Sequence, residues 1–330
     1  LEILKILLTR IIMAKHLVTG SSGFVGSEIV KKLVKLNHDV VSIDIIEDNV
    51  ISNISDFYKI DISEDLTKYN AIFSNVSSVH HNAALVPLTK AGKNFFKSNV
   101  IGTKNILKTS IFNNVKHFSH MSSSAIFGKP NKKNENVNYL NYNPTGLYGK
   151  SKHLAELEVI NNKGKFKSCS IIRPRPIIGK GRLGIFEILF DWVKNDKKIP
   201  IIGSGNNAFQ FAHIDDLVDV SIETAERNIS GFFNVGTDRY QSLKLDLNEA
   251  FKKVNSKSRV LPLNKYMCIF SLFLLDKLNL SPLTAWHYLS YSWNFHYDLK
   301  DNFKRLNWRP KYSNIDMIVE AYQWYLKNEN

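Results

Sequence analysis

Apolar and polar positions follow two different rhythms along the first half of the chain. Short apolar runs predict strands, and apolar positions that repeat every three or four residues predict helices. The predicted strands are His16–Thr19, Val40–Ile45, Phe57–Ile62, Val76–Asn82, Val115–Met121 and Ser168–Ile172, and the predicted helices are Phe24–Leu36, Lys93–Asn113 and Gly146–Asn161. This alternation indicates an α/β fold with a Rossmann-type, doubly wound parallel sheet.

The pattern changes after Arg173, where prolines and glycines become frequent between residues 174 and 184. Beyond this boundary the sequence predicts a helix over 185–194, a strand over 200–202, a helix over 214–227, a strand over 232–235 and mostly helical segments to the end. We therefore expect a Rossmann domain over residues 13–175. A smaller C-terminal lobe should cover 176–330, with about 211–240 returning to the Rossmann domain.

Two apolar segments raise the question of membrane contact. Leu1–Met13 is interrupted by Lys5 and Arg10, and Met13 stands where a natural start would be. We therefore interpret residues 1–12 as an upstream extension that the fold does not need. Met267–Leu275 is too short to span a bilayer. It favours a buried helix or a hydrophobic lid over membrane contact, so the sequence predicts no membrane span.

Composition and charge narrow the function classes. The 330 residues include two cysteines, Cys169 and Cys268, and neither has the spacing to His or Cys that a zinc site or a disulfide framework needs. We expect no metal, and a reducing, cytoplasmic location. The net charge is +14, but no nucleic-acid motif accompanies it. The basic residues are interpreted as solvated lysines, with steering of a pyrophosphate-bearing substrate as the alternative.

A glycine-rich turn connects the first predicted strand to the first predicted helix. Gly20, Gly23 and Gly26 have the spacing G-x-x-G-x-x-G, which allows a tight turn and close approach of the backbone to a pyrophosphate. Asp44 ends the second strand, where its carboxylate can accept hydrogen bonds from ribose hydroxyls and repel a 2′-phosphate. This combination predicts NAD rather than NADP. Asp61, which ends the third strand, is a candidate for the adenine edge or a simple turn residue.

A tyrosine and a lysine lie four residues apart on a predicted helix. Tyr148 and Lys152 therefore share one helix face. A nearby ammonium and a cationic nicotinamide ring would lower the pKa of the phenol, so that it could exchange a proton with a substrate hydroxyl. The serine run 122–124 ends another strand, and a hydroxyl there could donate to the substrate oxygen. We select Ser124 for this role, with Ser123 as the second choice.

Together these residues resemble the extended short-chain dehydrogenase/reductase superfamily, in its NAD-dependent epimerase/dehydratase branch. The resemblance extends from about Met13 to the C-terminus. Besides the glycine turn, it rests on His81-Asn82-Ala83-Ala84, Asn99-Val100-Ile101-Gly102-Thr103, Ser122–Gly128, Pro144 through Lys152, Arg173-Pro174, Phe211 through Asp216, Phe233-Asn234-Val235-Gly236 and Leu306 through Pro310.

The resemblance implies NAD as a tightly held cofactor and, in many members, a nucleotide-sugar substrate. It assigns catalysis to Ser124, Tyr148 and Lys152. The cofactor-binding candidates are Gly20, Gly23, Phe24, Val25, Gly26, Asp44, Asp61, Ile62, Ala83 and Asn99, together with Tyr148 and Lys152. It also implies a homodimer formed through the helices predicted at Lys93–Asn113 and Gly146–Asn161. His213 and Asp215 are expected to link the lobes and are left outside the site.

Two departures from the family pattern shape the functional hypotheses. Dehydratases of this branch have an Asp-Glu pair after the catalytic hydroxyl residue, whereas Ala125 and Ile126 follow Ser124 here. Elimination of water is therefore not expected. Pro176 stands where epimerases often have a sugar-contacting asparagine, a slight likeness to hydroxysteroid dehydrogenases.

Three functions follow from this sequence. The leading hypothesis is an NAD-dependent nucleotide-sugar epimerase, with Arg175, Arg182 and Arg309 as candidate diphosphate contacts. The alternative for these arginines is surface or interlobe ion pairing. The second hypothesis is a dehydrogenase or reductase of a steroid-like or other small carbonyl substrate. The third is a non-catalytic NAD-binding protein.

Overall fold

In a computed structural model, a seven-stranded parallel sheet forms the centre of the molecule. The structure describes residues 14–87, 91–130, 134–135, 142–181, 183–184, 186–278, 280–281 and 285–328. The strands of the sheet are β1 (Lys15–Thr19), β2 (Asp39–Asp44), β3 (Asp56–Lys59), β4 (Val76–His81), β5 (His117–Met121), β7 (Ser168–Pro174) and β11 (Gly231–Val235). The proposed upstream extension and Arg182 lie outside the described residues.

The order of the strands is β11-β7-β5-β4-β1-β2-β3. The chain builds outward from β1 through β2 to β3, then returns to β4 on the other side of β1 and continues in the opposite direction. This reversal confirms the predicted doubly wound fold. It also opens a crevice beyond the carboxyl ends of β1 and β4, which is the usual ligand position in such sheets.

Helices cover both faces of the sheet. The helices in chain order are α1 (Phe24–Lys35), α2 (Asn49–Ser52), α3 (Asn94–Phe96), α4 (Gly102–Phe112), α5 (Gly146–Asn162), α6 (Phe186–Lys194), α7 (Ile214–Glu226), α8 (Leu243–Lys253), α9 (Lys265–Lys277), α10 (Ala285–Ser290), α11 (Lys300–Leu306) and α12 (Asn314–Asn328). Alternate residues of β1 point to opposite faces: Val18 packs with α1 and α7, and Leu17 packs with α4 and α5.

A second core lies in the C-terminal part of the chain. The short strands β9 (Lys198–Ile202) and β12 (Arg259–Leu263) pair in parallel, and helices α6, α8 and α12 contribute apolar residues around them. The remaining described strands are the two-residue pairs β6 (Asn134–Glu135) with β13 (His296–Tyr297), and β8 (Ile177–Ile178) with β10 (Ala212–His213). The domain boundaries proposed from the sequence stay predictions.

Two segments differ from the sequence prediction. The helix predicted over Lys93–Asn113 is interrupted between α3 and α4 by a π-helical segment, Lys97–Ile101. Met267–Leu275 is helical within α9, but no residue of α9 is buried. The expectation of a buried helix was therefore wrong, and the alternative of a hydrophobic lid stays a prediction. Within the described residues, no helix combines the length and apolar character needed to cross a bilayer.

Candidate active site

The glycine turn packs so closely that side chains do not fit at two of its positions. Gly20 has φ +68°, and a Cβ built on it would lie 2.7 Å from the Cα of Ala83. A Cβ on Gly26 would lie 2.0 Å from the carbonyl oxygen of Gly20. The turn therefore depends on glycine at both positions, and Ala83 forms its wall on the β4 side.

The amino end of α1 follows this turn directly. Gly23 caps the helix without any side-chain hydrogen bond, so the backbone N–H groups of Phe24, Val25 and Gly26 are left for another acceptor. Exposed N–H groups at a helix N-terminus fit an anion. The glycine turn, which has no side chains in the way, and the helix N-terminus, which has no side-chain cap, together fit the pyrophosphate of a dinucleotide.

Asp44 connects the end of β2 to the same turn. Its Oδ2 accepts a hydrogen bond of 2.9 Å from the N–H of Ser22, and its Oδ1 accepts from the N–H groups of Ile45 at 2.7 Å and Ile46 at 3.1 Å. The carboxylate thus fixes the geometry of the turn as well as lying where the ribose was expected.

The other cofactor candidates fall into two groups. Asp61 is a turn residue: burial raises the pKa of its carboxyl, but hydrogen bonds from the hydroxyl and N–H of Ser63 outweigh burial and leave the pKa lowered. Ile62 is buried in the core, so its side chain packs there. Ile62 therefore has only backbone atoms to offer a ligand, and Asp61 has the carboxylate oxygen that Ser63 does not use.

Asn99 lies in the π-helical segment, and its side chain is fully used within the protein. Its Oδ1 accepts from the N–H of Leu85 at 2.7 Å, and its Nδ2 donates to the carbonyl of Leu85 at 3.1 Å and to the hydroxyl of Ser151 at 3.0 Å. Asn99 therefore ties the loop after β4 to α5. π-Helical turns are frequent at functional sites, and this one turns Asn99 inward.

Tyr148 and Lys152 lie on α5 beside the carboxyl end of β5. The ammonium of Lys152 is buried and donates a 2.5 Å hydrogen bond to the carbonyl of Met121. Burial lowers the pKa of Lys152 to about 8, and the carboxylate of Glu156 opposes this effect. Burial raises the pKa of Tyr148, whereas its side-chain hydrogen bond with Ser123 lowers it. Because the pKa of the phenol stays raised, a positive charge in addition to that of Lys152 is needed to favour the phenolate.

The structure gives Ser123 and Ser124 different neighbours. Ser123 is the hydrogen-bonding neighbour of the Tyr148 phenol and also caps the following turn by accepting from the N–H of Ala125 at 3.1 Å. Ser124 instead faces the buried hydroxyl of Tyr297. The sequence-based choice of Ser124 therefore does not match the geometry, which favours Ser123. Ser124 and Ala125 then follow the hydroxyl residue, so an acidic pair is absent there too.

A buried ion pair between Glu156 and Arg173 lies next to the site. Glu156 lies one further turn along α5 from Lys152, and its Oε1 is 2.5 Å from a guanidinium nitrogen of Arg173 on β7. Glu156 also accepts hydrogen bonds from the hydroxyls of Ser122 at 2.5 Å and Tyr142 at 3.0 Å. Both charged side chains have no exposed area. This network fixes α5 against β5 and β7, and hence the position of Lys152.

The three candidate arginines have different positions. Arg175 is buried directly after β7, where its Nε donates to the carbonyl of Gln210 at 3.2 Å and its guanidinium stacks 4.2 Å from the ring of Phe295. Burial lowers its pKa to about 10, against the effect of Tyr297 and Tyr240. Arg309 is exposed and stacks on Phe303. Arg182 lies outside the described residues.

Arg175 is therefore the candidate that lies nearest to the serine run, through its neighbour Tyr297. No carboxylate pairs with it among the residues that the structure describes. A buried cation without an anionic partner is costly, so this position fits an anionic group of a ligand.

The family model described as "NAD dependent epimerase/dehydratase family" matches residues 16–236. This match covers more than half of the chain. The chain belongs to this family. The expected enzyme class, an NAD-dependent epimerase or oxidoreductase of the extended short-chain dehydrogenase/reductase type, is thus confirmed at the level of the family.

Curated relatives are similar over most of their length. An uncharacterized protein, y4nG, of Sinorhizobium fredii is 34% identical over 96% of this chain and 80% of its own. A putative UDP-glucose 4-epimerase of Methanocaldococcus jannaschii is 29% identical over 71% of this chain and 79% of its own. Among solved structures, MoeE5 in complex with UDP-glucose and NAD is 18% identical. It covers 96% of this chain and 100% of its own with a TM-score of 0.76, which shows the shared fold.

Sequence reasoning missed Glu156, Arg173 and Tyr297 as parts of the site. Glu156 had a usable signal, because it repeats the four-residue spacing from Tyr148 to Lys152 and so shares their helix face. Tyr297 had none, since it reaches the site from a distant segment.

Proposed function

We propose that this protein is an NAD-dependent epimerase that inverts a carbinol carbon of a nucleotide sugar. The observation that carries the proposal is the placement of Tyr148, Lys152 and Ser123 together at the carboxyl end of β5, at the same end of the parallel sheet as the glycine turn after β1. Supporting evidence comes from MoeE5, whose structure contains UDP-glucose and NAD, and from the relative described as a putative UDP-glucose 4-epimerase.

In the proposed reaction, NAD bound at the glycine turn supplies a reversible hydride acceptor. The phenolate of Tyr148 takes the proton of the sugar hydroxyl as that carbon is oxidised, and returns it after the keto sugar has turned its other face. The ammonium of Lys152 favours the phenolate by its charge. The hydroxyl of Ser123 donates a hydrogen bond to the sugar oxygen.

We further propose that Arg175 binds an anionic group of the substrate, either a diphosphate oxygen or a sugar carboxylate. Its burial and the aromatic rings around it strengthen the attraction to an anion, since screening by water is weak there. Replacement of Arg175 by Met should raise KM for a nucleotide sugar far more than it lowers kcat, because this contact exists in both the ground and the transition state.

A panel of UDP-, GDP- and dTDP-sugars, followed by NMR and by NADH absorbance, tests the proposal. Interconversion of two sugars without net NADH supports epimerisation. Steady NADH formation with a sugar or a steroid-like alcohol would instead show a dehydrogenase. Tyr148→Phe is the control: it should abolish turnover and still bind NAD. NAD binding without turnover in the unmodified protein, with any substrate, would identify a non-catalytic NAD-binding protein.

A further inference from the structure

Two histidines and a glutamate converge at the amino ends of β1 and β2, at the end of the sheet opposite the glycine turn. His16 lies near the start of β1, His38 directly precedes β2, and Glu226 is the last residue of α7. One potential ligand atom from each lies within 4.8 Å of the other two. The glycine turn follows the other end of β1, so this cluster is separate from the proposed active site.

The two distances from the carboxylate to the imidazoles are long for hydrogen bonds and match the spacing of ligands around a shared metal ion. The Oε1 of Glu226 is 3.5 Å from the Nε2 of His16 and 3.4 Å from the Nε2 of His38. Hydrogen bonds between N–H and O are usually about 2.9–3.0 Å long. Two ligands bound tetrahedrally at the usual Zn–N and Zn–O lengths are instead roughly 3.3–3.4 Å apart.

The burial of His16 adds an independent indication. His16 is 1% exposed, and its Nε2 faces the carboxylate of Glu226 at 3.5 Å but makes no hydrogen bond of ordinary geometry. Its Nδ1 lies 3.1 Å from the Nε2 of His80, whose own Nδ1 lies 3.0 Å from the hydroxyl of Ser221. If His16 donates through Nδ1, the lone pair on Nε2 is free for a metal. Hydrogen bonding of the second ring nitrogen is a regular feature of histidine ligands.

We propose that His16, His38 and Glu226 bind a divalent transition-metal ion, with Zn²⁺ as the best fit to two imidazoles and one carboxylate. A water molecule would complete the tetrahedron on the side of Glu226, which is partly exposed. The ion would connect β1, the loop before β2 and the end of α7, and so stabilise the folded protein. The sequence predicts no such site because its ligands come from three separate elements.

Calorimetric titration of the EDTA-treated full chain with zinc chloride tests this site. One ion should bind per chain and raise the melting temperature. His38→Ala and Glu226→Gln should each weaken zinc binding by at least the roughly 10–100-fold that loss of an outer-shell hydrogen-bond partner costs, since each removes a ligand. Glu223→Gln, one turn earlier on α7, should leave it unchanged. Absence of one-to-one binding, or binding that both cluster variants retain, would overturn the proposal. NAD binding provides the check that each variant is folded.

A separate feature is the concentration of exposed apolar side chains between residues 261 and 280. Tyr266 is 82% exposed and Phe270 is 63% exposed. The other exposed large apolar residues of this surface are Leu261, Leu263, Met267, Phe273, Leu274, Leu275, Leu278 and Leu280. Together they form the apolar surface around α9. A concentration of large exposed apolar side chains often marks an interaction site.

Cationic residues border the apolar surface. Lys265 and Lys277 stand at the two ends of α9, and Arg259 and Lys198 are exposed at the starts of the paired strands β12 and β9. Within α9, Asp276 is the only acidic residue. A second copy of this chain would bring the same cations against one another. An anionic bilayer surface would instead accept both the apolar side chains and the cations.

We infer that α9 docks on the surface of an anionic lipid bilayer. Flotation of the full chain with phosphatidylcholine vesicles, with and without phosphatidylglycerol, tests this. Binding should require phosphatidylglycerol, fall with added salt and be lost in the double variant Met267→Ser, Phe270→Ser. Leu326→Ser on α12 is the control for an exposed leucine elsewhere.

Three outcomes would overturn the bilayer assignment. One is equal flotation of the double variant, and another is no binding of the unmodified chain to anionic vesicles. The third is that the double variant lowers the oligomeric state in the absence of lipid, which would assign the surface to a second copy.

Discussion

Ser123 and Ser124 are adjacent in the chain but have different hydrogen-bond partners. Ser123 meets the phenol of Tyr148, and Ser124 meets the hydroxyl of Tyr297. Ser123→Ala should lower kcat by about 10²–10³-fold, because the developing charge on the substrate oxygen loses its donor. Ser124→Ala is the matched control and should change kcat by only a few fold. Steady-state kinetics on whichever nucleotide sugar is turned over gives both values. A larger loss in Ser124→Ala would return the role to Ser124.

The choice between Ser123 and Ser124 could not be made from the sequence, whereas other residues of the site could be predicted. The glycine turn and the pair Tyr148–Lys152 could be predicted because each depends on local spacing, through a tight turn or a shared helix face. Three consecutive serines have no such spacing signal. The short 3₁₀ turn that begins at Ser124 rotates the two hydroxyls apart, and only the folded backbone decides which one meets Tyr148.

At the scale of elements, the buried pair Glu156–Arg173 holds α5 against β7. Glu156→Gln should lower the free energy of unfolding by about 3–5 kcal/mol, since it leaves the guanidinium of Arg173 buried without a counter-charge. Glu158→Gln, on the same helix, removes only the partly exposed ion pair with Lys104 and should cost about 1 kcal/mol or less. Urea unfolding of the two variants measures the difference. Equal losses would mean that the buried pair has no special role.

The elements themselves were predictable to different degrees. Apolar residues marked the strands of the central sheet, because strands buried on both faces favour apolar side chains. The strands β4 and β5 nevertheless also bury serines and histidines. The π-helical segment at Asn99 was not predictable, since it arises from long-range hydrogen bonds to Leu85 and Ser151. For α9, apolar composition suggested burial, but composition cannot show whether a partner element exists to cover a helix.

For the whole molecule, buried histidines should make stability depend on pH. His81 accepts from or donates to Thr19 and Thr103, and burial lowers its pKa to about 3, with Lys152 adding to the effect. The unfolded chain binds a proton there below about pH 6.5, whereas the folded chain does not until about pH 3. The contribution of His81 to the free energy of unfolding is therefore fully present above pH 6.5 and is lost as the pH falls toward 3.

His81→Gln measures this contribution. Urea unfolding at several pH values between 7 and 5 should show a steep loss of stability in the unmodified protein. The variant should show a slope smaller by up to about 1.4 kcal/mol per pH unit, the share of one titrating group. Parallel slopes for the two proteins would place the acid sensitivity elsewhere.

The exposed face of α4 and α5 carries the prediction of a homodimer. Phe112 is 70% exposed on α4, and Leu147 and Leu154 are also exposed on α5. Large apolar residues on two adjacent helices are expected to be covered by a partner, and a two-fold contact would pair the helices of two copies as a four-helix bundle. Because α5 also holds Tyr148 and Lys152, the same contact would steady the catalytic helix.

Phe112→Glu and Leu154→Glu should each convert the dimer to a monomer, since a charge would be buried twice in a symmetric interface. Analytical ultracentrifugation gives the mass directly. Leu326→Glu, on α12, should leave the mass unchanged. If the interface also stabilises α5, the monomeric variants should lose sugar turnover while they retain NAD binding, because the glycine turn continues into α1, which packs on the opposite face of the sheet from α5. Monomers that keep full turnover would separate assembly from catalysis, and a monomeric unmodified protein would refute the dimer.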